Sequence, residues 1–145
     1  GNGGNQRMKQ VYLAGPINAS DDPYTWRENA DQLSDLKMVN PLTEHDFSGD
    51  SIAPQAVVES DVELLAATDG MLVRREDGVE TWGTPMEVQW AYERGYPIVC
   101  YDPHETETSA WLRHRADSVC ETLDDAVDTI ESVVSERAAA DVAVV

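Results

Sequence analysis

The chain has 145 residues, 41% of them apolar, which suits one domain with a single core and excludes a disordered chain. Its 28 acidic residues face 10 basic ones, a formal charge of -18 with no Lys/Arg cluster, so nucleic acid is excluded as a partner. No apolar run approaches membrane length and no secretory segment precedes the first strand, so no membrane is involved and a cytoplasmic protein is expected.

Gly1 to Arg7 is Gly/Asn-rich and reads as a cloning remnant ahead of Met8. Val11 to Ala14 predicts a short strand, ended by the turn signal Gly15-Pro16. Asp21-Asp22-Pro23 opens a helix whose buried stripe is Trp26, Ala30, Leu33 and Leu36. Met38 and Val39 form a second strand, stopped by Asn40-Pro41, and Thr43 to Ser51 is a polar loop. Ala53 to Thr68 predicts a helix, Gly70 to Arg74 a strand and Arg75 to Thr84 a loop. A helix from about Pro85 runs to Gly95, a C′ glycine. Pro97 to Tyr101 is the fourth strand, and His104 to Arg115 a loop with one helical turn. Ser118 to Cys120 is the fifth strand. Leu123 to Arg137 closes the chain as an amphipathic helix, with Ala138 to Val145 a frayed, flexible tail. The order β-α-β-α-β-α-β-(α)-β-α argues for one α/β domain over residues 8–137, a five-stranded parallel sheet between two helical layers.

The charge also bears on habitat. Two lysines stand against eight arginines, and the acid is spread over the whole chain. Self-repulsion at that charge is screened in concentrated salt, where the Debye length is about 3 Å at 1 M. Adaptation to a salt-filled cytoplasm is the expectation; an ordinary acidic protein is the alternative. Cys100 and Cys120 sit in apolar runs that read as buried strands, so packing rather than a disulfide is expected.

Chemistry is concentrated in Gly83-Thr84-Pro85-Met86-Glu87, which follows a strand and opens a helix. It delivers a carboxylate to the carboxyl end of a parallel strand, where open α/β sheets bind ligands. Thr84-x-x-Glu87 also reads as a capping box with Pro85 at the first helical position. In either case the helix dipole would keep Glu87 ionised, as a nucleophile requires. Asp61 lies four after Val57, three after Val58 and three and four before Leu64 and Leu65, on an apolar stripe. A carboxylate there either points into a cleft or reaches solvent at the stripe's edge. Tyr12, inside the first strand, is either a core aromatic or orients a neighbouring carboxylate. His45 sits in a polar loop, and Trp82 is available for stacking on a base or for surface packing. Three unpaired histidines (45, 104 and 114) make a zinc site unexpected. No Walker A, GxGxxG or GxSxG pattern is present.

Three segments together resemble the nucleoside 2-deoxyribosyltransferase family: Val11-Tyr12-Leu13-Ala14-Gly15-Pro16; Glu59-Ser60-Asp61-Val62-Glu63-Leu64-Leu65 leading to Thr68-Asp69; and Gly83-Thr84-Pro85-Met86-Glu87-Val88-Gln89-Trp90-Ala91, followed by Gly95-Tyr96-Pro97-Ile98-Val99. The resemblance implies a flavodoxin-like sheet and an enzyme that cleaves the N-glycosidic bond of deoxynucleosides or their monophosphates. It makes Glu87 the nucleophile at the anomeric carbon, Tyr12 the residue that positions it, and Asp61 the group that handles the proton of the departing base. The matched motifs supply Gly15, Pro16, Gly83 and Met86 to the substrate site. No metal or organic cofactor is implied.

One branch of that family hydrolyses deoxynucleoside 5′-phosphates instead of exchanging bases. The transferases carry Asp six residues before the nucleophile, where this chain has Thr81; the hydrolases have a hydroxyl residue there that helps hold the phosphate. Thr43-Glu44-His45 also resembles a hydrolase segment, which would place His45 near the substrate. Against this, the hydrolases carry a phosphate-binding arginine in the loop after the first strand, where this chain has Asn18 and, further on, Arg27. The family also implies a homodimer or larger assembly, with Ser109 and its neighbours completing a site across the interface. A nucleoside 2-deoxyribosyltransferase is the leading expectation. The 5′-monophosphate N-glycosidase and a catalytically silent nucleotide-binding module are the alternatives.

Overall fold

The computed structural model describes residues 8–17, 20–44, 53–79, 81–104 and 106–144, with side chains to Arg137. Eleven elements follow one another: β1 Gln10–Ala14, α1 Thr25–Leu33, β2 Lys37–Val39, α2 Pro41–Glu44, α3 Pro54–Ala66, β3 Gly70–Arg74, α4 Gly83–Glu93, β4 Ile98–Tyr101, α5 Ala110–Arg115, β5 Ser118–Cys120 and α6 Leu123–Val144. The five strands form one parallel sheet in the order β2-β1-β3-β4-β5. This is the flavodoxin-like α/β architecture expected from the alternation.

The central strands read as continuous apolar runs because both their faces are covered. Val11, Leu13, Leu72 and Val99 point to one face, against Trp26 and Ala30 of α1 and Ala126, Val127, Ile130 and Val134 of α6. Tyr12, Met71, Val73, Ile98 and Cys100 point to the other, against Leu65 of α3 and Val88 and Ala91 of α4, with Leu112 of α5 at the margin. The side-chain period of two therefore places Tyr12 on the face that carries α3, α4 and α5.

Packing is tightest where β3 begins. A Cβ built on Gly70 would stand 2.8 Å from Val134 Cγ2 and 3.4 Å from Ile130 Cδ1. Gly70→Ala overpacks the α6 contact and is expected to cost about 1–3 kcal/mol, read as a lower denaturant midpoint at unchanged slope.

Local chemistry sets the element ends. Asp22 accepts from the N–H groups of Tyr24 and Thr25 at 3.0 and 3.1 Å and so fixes the turn that leads into α1, which begins at Thr25 rather than at Asp21. Asn40 Oδ1 accepts from Leu42 N at 3.0 Å, so Asn40-Pro41 starts the short helix α2 where a loop was expected. Gly95, with φ of 74°, is the expected C′ glycine of α4. Around it Gly95 N donates to Tyr92 O and Tyr96 N to Ala91 O, each at 3.0 Å, the Schellman pattern.

Three expectations are corrected. Leu33 is 46% exposed, because α1 turns it off the buried stripe that Trp26 and Ala30 define. Cys120 is only half-buried, since β5 is an edge strand. Helix α5 spans six residues, capped by Ser109 Oγ, which accepts from Trp111 N at 3.2 Å. Helix α6 spans Leu123–Val144. Both cysteines are free thiols. Among the described residues no helix is long and apolar enough to cross a membrane.

Candidate active site

The carboxyl ends of β1 and β3 lie side by side where the strand order reverses: β1 feeds α1 on one face, and β3 feeds α4 on the other. Tyr12, 1% exposed, rises from β1 toward α4. Glu87 precedes Val88, which packs against the sheet, and so hangs over the same spot. Tyr12 Oη donates to Glu87 Oε2 at 2.6 Å, the length of a charge-assisted bond.

Helix α4 starts at Gly83, so Glu87 is its fifth residue and Pro85 its third. The capping-box reading is thereby corrected: the cap position is Trp82, with no side-chain cap bond, and Glu87 bonds Tyr12 instead. The electrostatic expectation is corrected with it. Burial pushes the Glu87 carboxyl up to about 7; the Tyr12 hydrogen bond opposes this, the charge of Asp61 adds to it, and the Arg27 guanidinium opposes it. Desolvation outweighs the helix terminus because Glu87 lies beyond the first turn, where the dipole's influence fades. Burial, and then the charge of Glu87, push the Tyr12 hydroxyl well above the usual phenol range, so Tyr12 is a fixed donor.

Asp61 is half-buried on α3, and its charge is felt by both Tyr12 and Glu87. The structure thus brings three predicted residues together from three elements: Tyr12 from β1, Asp61 from α3 and Glu87 from α4.

Four other predicted residues stand on the opposite flank of α4. A cavity of about 490 Å³ opens between α4 and α5, and Pro16, Thr81, Met86 and Ser109 line it together with Trp82 and Trp111. Glu87, Tyr12 and Asp61 are not part of its wall. Thr81 Oγ1 is 3.4 Å from Thr84 Oγ1 at the cavity's edge. Gly15 closes β1, and a Cβ there would come within 3.1 Å of Trp26 Cζ2, so it is held by packing. Gly83 is exposed, with nothing within 4 Å of a built Cβ; no close approach in the structure requires a glycine there. His45 lies outside the described residues.

The cavity's far wall is fixed by a polar bracket that sequence reasoning missed. Arg75, just after β3, donates to both Asp102 carboxylate oxygens at 3.2 Å, to Thr106 O at 3.2 Å and to Thr106 Oγ1 at 3.0 Å, and pairs with Asp77. Burial raises Asp102, but the Thr108 hydroxyl, the His104 N–H and Arg75 outweigh it and hold the carboxyl below its ordinary value. The bracket ties the loop after β3 to the loop that leads to Ser109. Its only sequence signal is a charged pair immediately beyond two strand ends.

Among the described residues no His/Cys/Asp/Glu group is arranged to hold a metal ion. No protein-family model matches the chain, and no curated protein matches it. Solved structures do resemble it. A conserved protein from Enterococcus faecalis V583 superposes with a TM-score of 0.69 at 17% identity, covering 87% of this chain and 99% of its own. A 2-deoxyribosyltransferase from Bacillus psychrosaccharolyticus gives a TM-score of 0.69 at 16% identity, covering 80% of this chain and 88% of its own. A CMP N-glycosidase from Clostridium botulinum gives 0.57 at 13% identity, covering 85% of this chain and 99% of its own. The chain shares the fold of these proteins over nearly their whole length.

Proposed function

We propose that the chain is an enzyme that cleaves the N-glycosidic bond of deoxynucleosides or their monophosphates, acting as a nucleoside 2-deoxyribosyltransferase. The observation that carries this reading is the 2.6 Å Tyr12–Glu87 bond at the strand-order reversal, with Asp61 close enough to act on both. Likeness in fold to a 2-deoxyribosyltransferase and a CMP N-glycosidase supports it, though fold alone does not assign chemistry.

In this mechanism Tyr12 occupies Oε2 of Glu87, and Oε1 attacks the anomeric carbon. The new C–O bond forms as the C–N bond breaks, and the Asp61 carboxylate passes a proton from solvent to the departing base. A second base or water then attacks the same carbon and releases Glu87 as carboxylate. An oxocarbenium-like centre is served by a carboxylate on one side and an acid near the leaving group. No metal or organic cofactor enters the scheme.

A second reading, hydrolysis of deoxynucleoside 5′-monophosphates, is favoured by Thr81, a hydroxyl residue on the cavity wall in place of aspartate. Arg27 does not supply the phosphate ligand, because it is buried and its guanidinium grips the backbone carbonyls of Leu13, Gly15 and Pro23. The assembly we infer is a homodimer. Trp82, Met86 and Trp111, 69%, 64% and 74% exposed, surround the cavity that a second copy would cover. The chain's charge further fits a protein that works in concentrated salt in the cytoplasm.

The test is product analysis in molar KCl, with deoxynucleosides and deoxynucleoside monophosphates, each with and without a second free base. A new nucleoside that appears only with the second base is the expected result. Free base released chiefly from monophosphates, without exchange, establishes the hydrolase. No product from any substrate leaves a nucleotide-binding module.

A further inference from the structure

The cavity between α4 and α5 runs against the charge of the chain. Acids outnumber bases 28 to 10 overall, yet the cavity wall carries three arginines, Arg74, Arg75 and Arg115, and one carboxylate, Glu76. Two of the three arginines are matched. Arg74 Nη1 holds Glu76 at 2.9 Å, and Glu76 also accepts from Ser20 Oγ at 3.0 Å. Arg75 pairs with Asp77 and Asp102 in the bracket. Arg115, at the end of α5, has no carboxylate paired with it among the described residues.

Arg115 is nonetheless held in place. Its Nε donates to Gln89 Oε1 at 2.9 Å, and its Nη1 lies 2.8 Å from His114 Nδ1. Its guanidinium packs over the rings of Tyr92 and Trp111, 4.5 and 5.1 Å from their centroids. These partners fix the group without neutralising it, and nothing among the described residues accepts from Nη2. A half-buried, fixed guanidinium on a cavity wall is what an anion needs, and its planar fork suits a phosphate in particular.

The rest of the wall says what the anion is attached to. Ser109 Oγ accepts from Trp111 N at 3.2 Å, which leaves its own proton to donate. Trp82 and Trp111 are largely exposed beside the opening and offer indole faces for a flat ring. The volume of about 490 Å³ suits a small organic ligand. We propose that this cavity binds a nucleoside monophosphate, with Arg115 taking the phosphate and the two tryptophans flanking the base. Tyr12, Asp61 and Glu87 are not on its wall, so the inference concerns binding and stands apart from the proposed cleavage.

The test is calorimetric titration of the Glu87→Gln protein, which takes turnover out of the measurement. The probes are deoxyadenosine and deoxycytidine 5′-monophosphates, the two deoxynucleosides and inorganic phosphate. The monophosphates are expected to bind about tenfold or more tighter than the other probes. Adding Arg115→Gln removes about ten- to a hundredfold of that affinity, and Arg115→Lys keeps part of it. Arg113→Gln is the control for charge, since Arg113 is off the wall and paired with Glu107 at 3.2 Å; it leaves binding unchanged. Unchanged binding in Arg115→Gln overturns the proposal and makes Arg115 a packing residue between α5 and α4. Inorganic phosphate bound as tightly as the monophosphates overturns the assignment to a nucleotide. If Arg115→Gln does not fold, the indole N–H resonances of Trp82 and Trp111 decide. A shift with monophosphate and none with deoxynucleoside supports the proposal, and no shift overturns it. A cavity filled by a second copy of the chain would bind no nucleotide, and Arg115→Gln would weaken the dimer instead, which also overturns it. Turnover by otherwise wild-type enzyme then separates two sources of the ligand. A KM for monophosphate that rises about tenfold or more in Arg115→Gln makes the bound nucleotide the substrate, and an unchanged KM makes it a second nucleotide that is not cleaved. Absence of any cleavage refutes the proposed function and leaves the binding result standing.

Discussion

Glu87→Gln abolishes turnover, by about three orders of magnitude or more, and leaves a folded protein that still binds substrate. The amide keeps the shape of the side chain and an oxygen for the Tyr12 hydroxyl to donate to, so the packing under α4 survives. What it lacks is the negative charge that the proposed attack on the anomeric carbon requires. Full activity in this variant would remove the nucleophile assignment.

The same substitution tests the electrostatics of the site in a different currency. Glu87 has an ordinary value of 4.5 and is raised to about 7 in the fold. Between these values the folded state holds a proton that the unfolded state has lost, so wild-type stability falls as pH rises through that window. Glutamine has no proton to lose. Glu87→Gln should therefore melt at a higher temperature than the wild type at pH 8, and the gap should close below about pH 4.5. Wild-type activity runs the other way: it needs the carboxylate and declines as pH drops below about 7. A variant no more stable than the wild type at pH 8 would mean that Glu87 is solvated after all. The site thus trades stability for charge, the usual pattern where function requires an ion in a desolvated place.

The fold was readable in the sequence because its signals are long-range and redundant. The runs at β1, β3 and β4 are apolar on both faces, and only a covered parallel sheet accommodates that. Gly95 marked the end of α4 because a Schellman turn needs a residue that tolerates positive φ. Asp61 was legible by one argument, a carboxylate on an apolar stripe. That argument applied equally to Arg27, but a lone arginine in an amphipathic helix also reads as a solvated one, and only burial distinguishes them. Element ends were less legible. Thr84-x-x-Glu87 satisfies the capping-box pattern, yet the helix starts before it, because tertiary contact with Tyr12 outbids a local bond. The Arg75–Asp102 bracket spans 27 residues of sequence, and no local pattern encodes such a pair. Nor did the motifs reveal that α4 separates the predicted site into two flanks, with Glu87 on one and Met86 on the other. Adjacent helix residues point about 100° apart, so neighbours in a motif need not share a pocket.

Asp61→Asn lowers turnover by about 100- to 10,000-fold, and the loss depends on the leaving group. An ordinary purine departs as an anion unless it is protonated, so the acid matters most there. A 7-methylpurine deoxynucleoside already carries a positive charge on the base, which leaves neutral without a proton. Its cleavage should be nearly indifferent to the substitution. The two carboxylates are also coupled. Asp61's charge pushes the Glu87 carboxyl up, so neutralising it should let Glu87 ionise at lower pH. The acid limb of the profile then moves down while the maximal rate falls, two changes of opposite sense from one substitution. An asparagine at the margin of a helix stripe would produce neither. If both substrates slow equally and the acid limb stays in place, Asp61 belongs to the scaffold of α3, and the proton for the base must come from another group in the cleft.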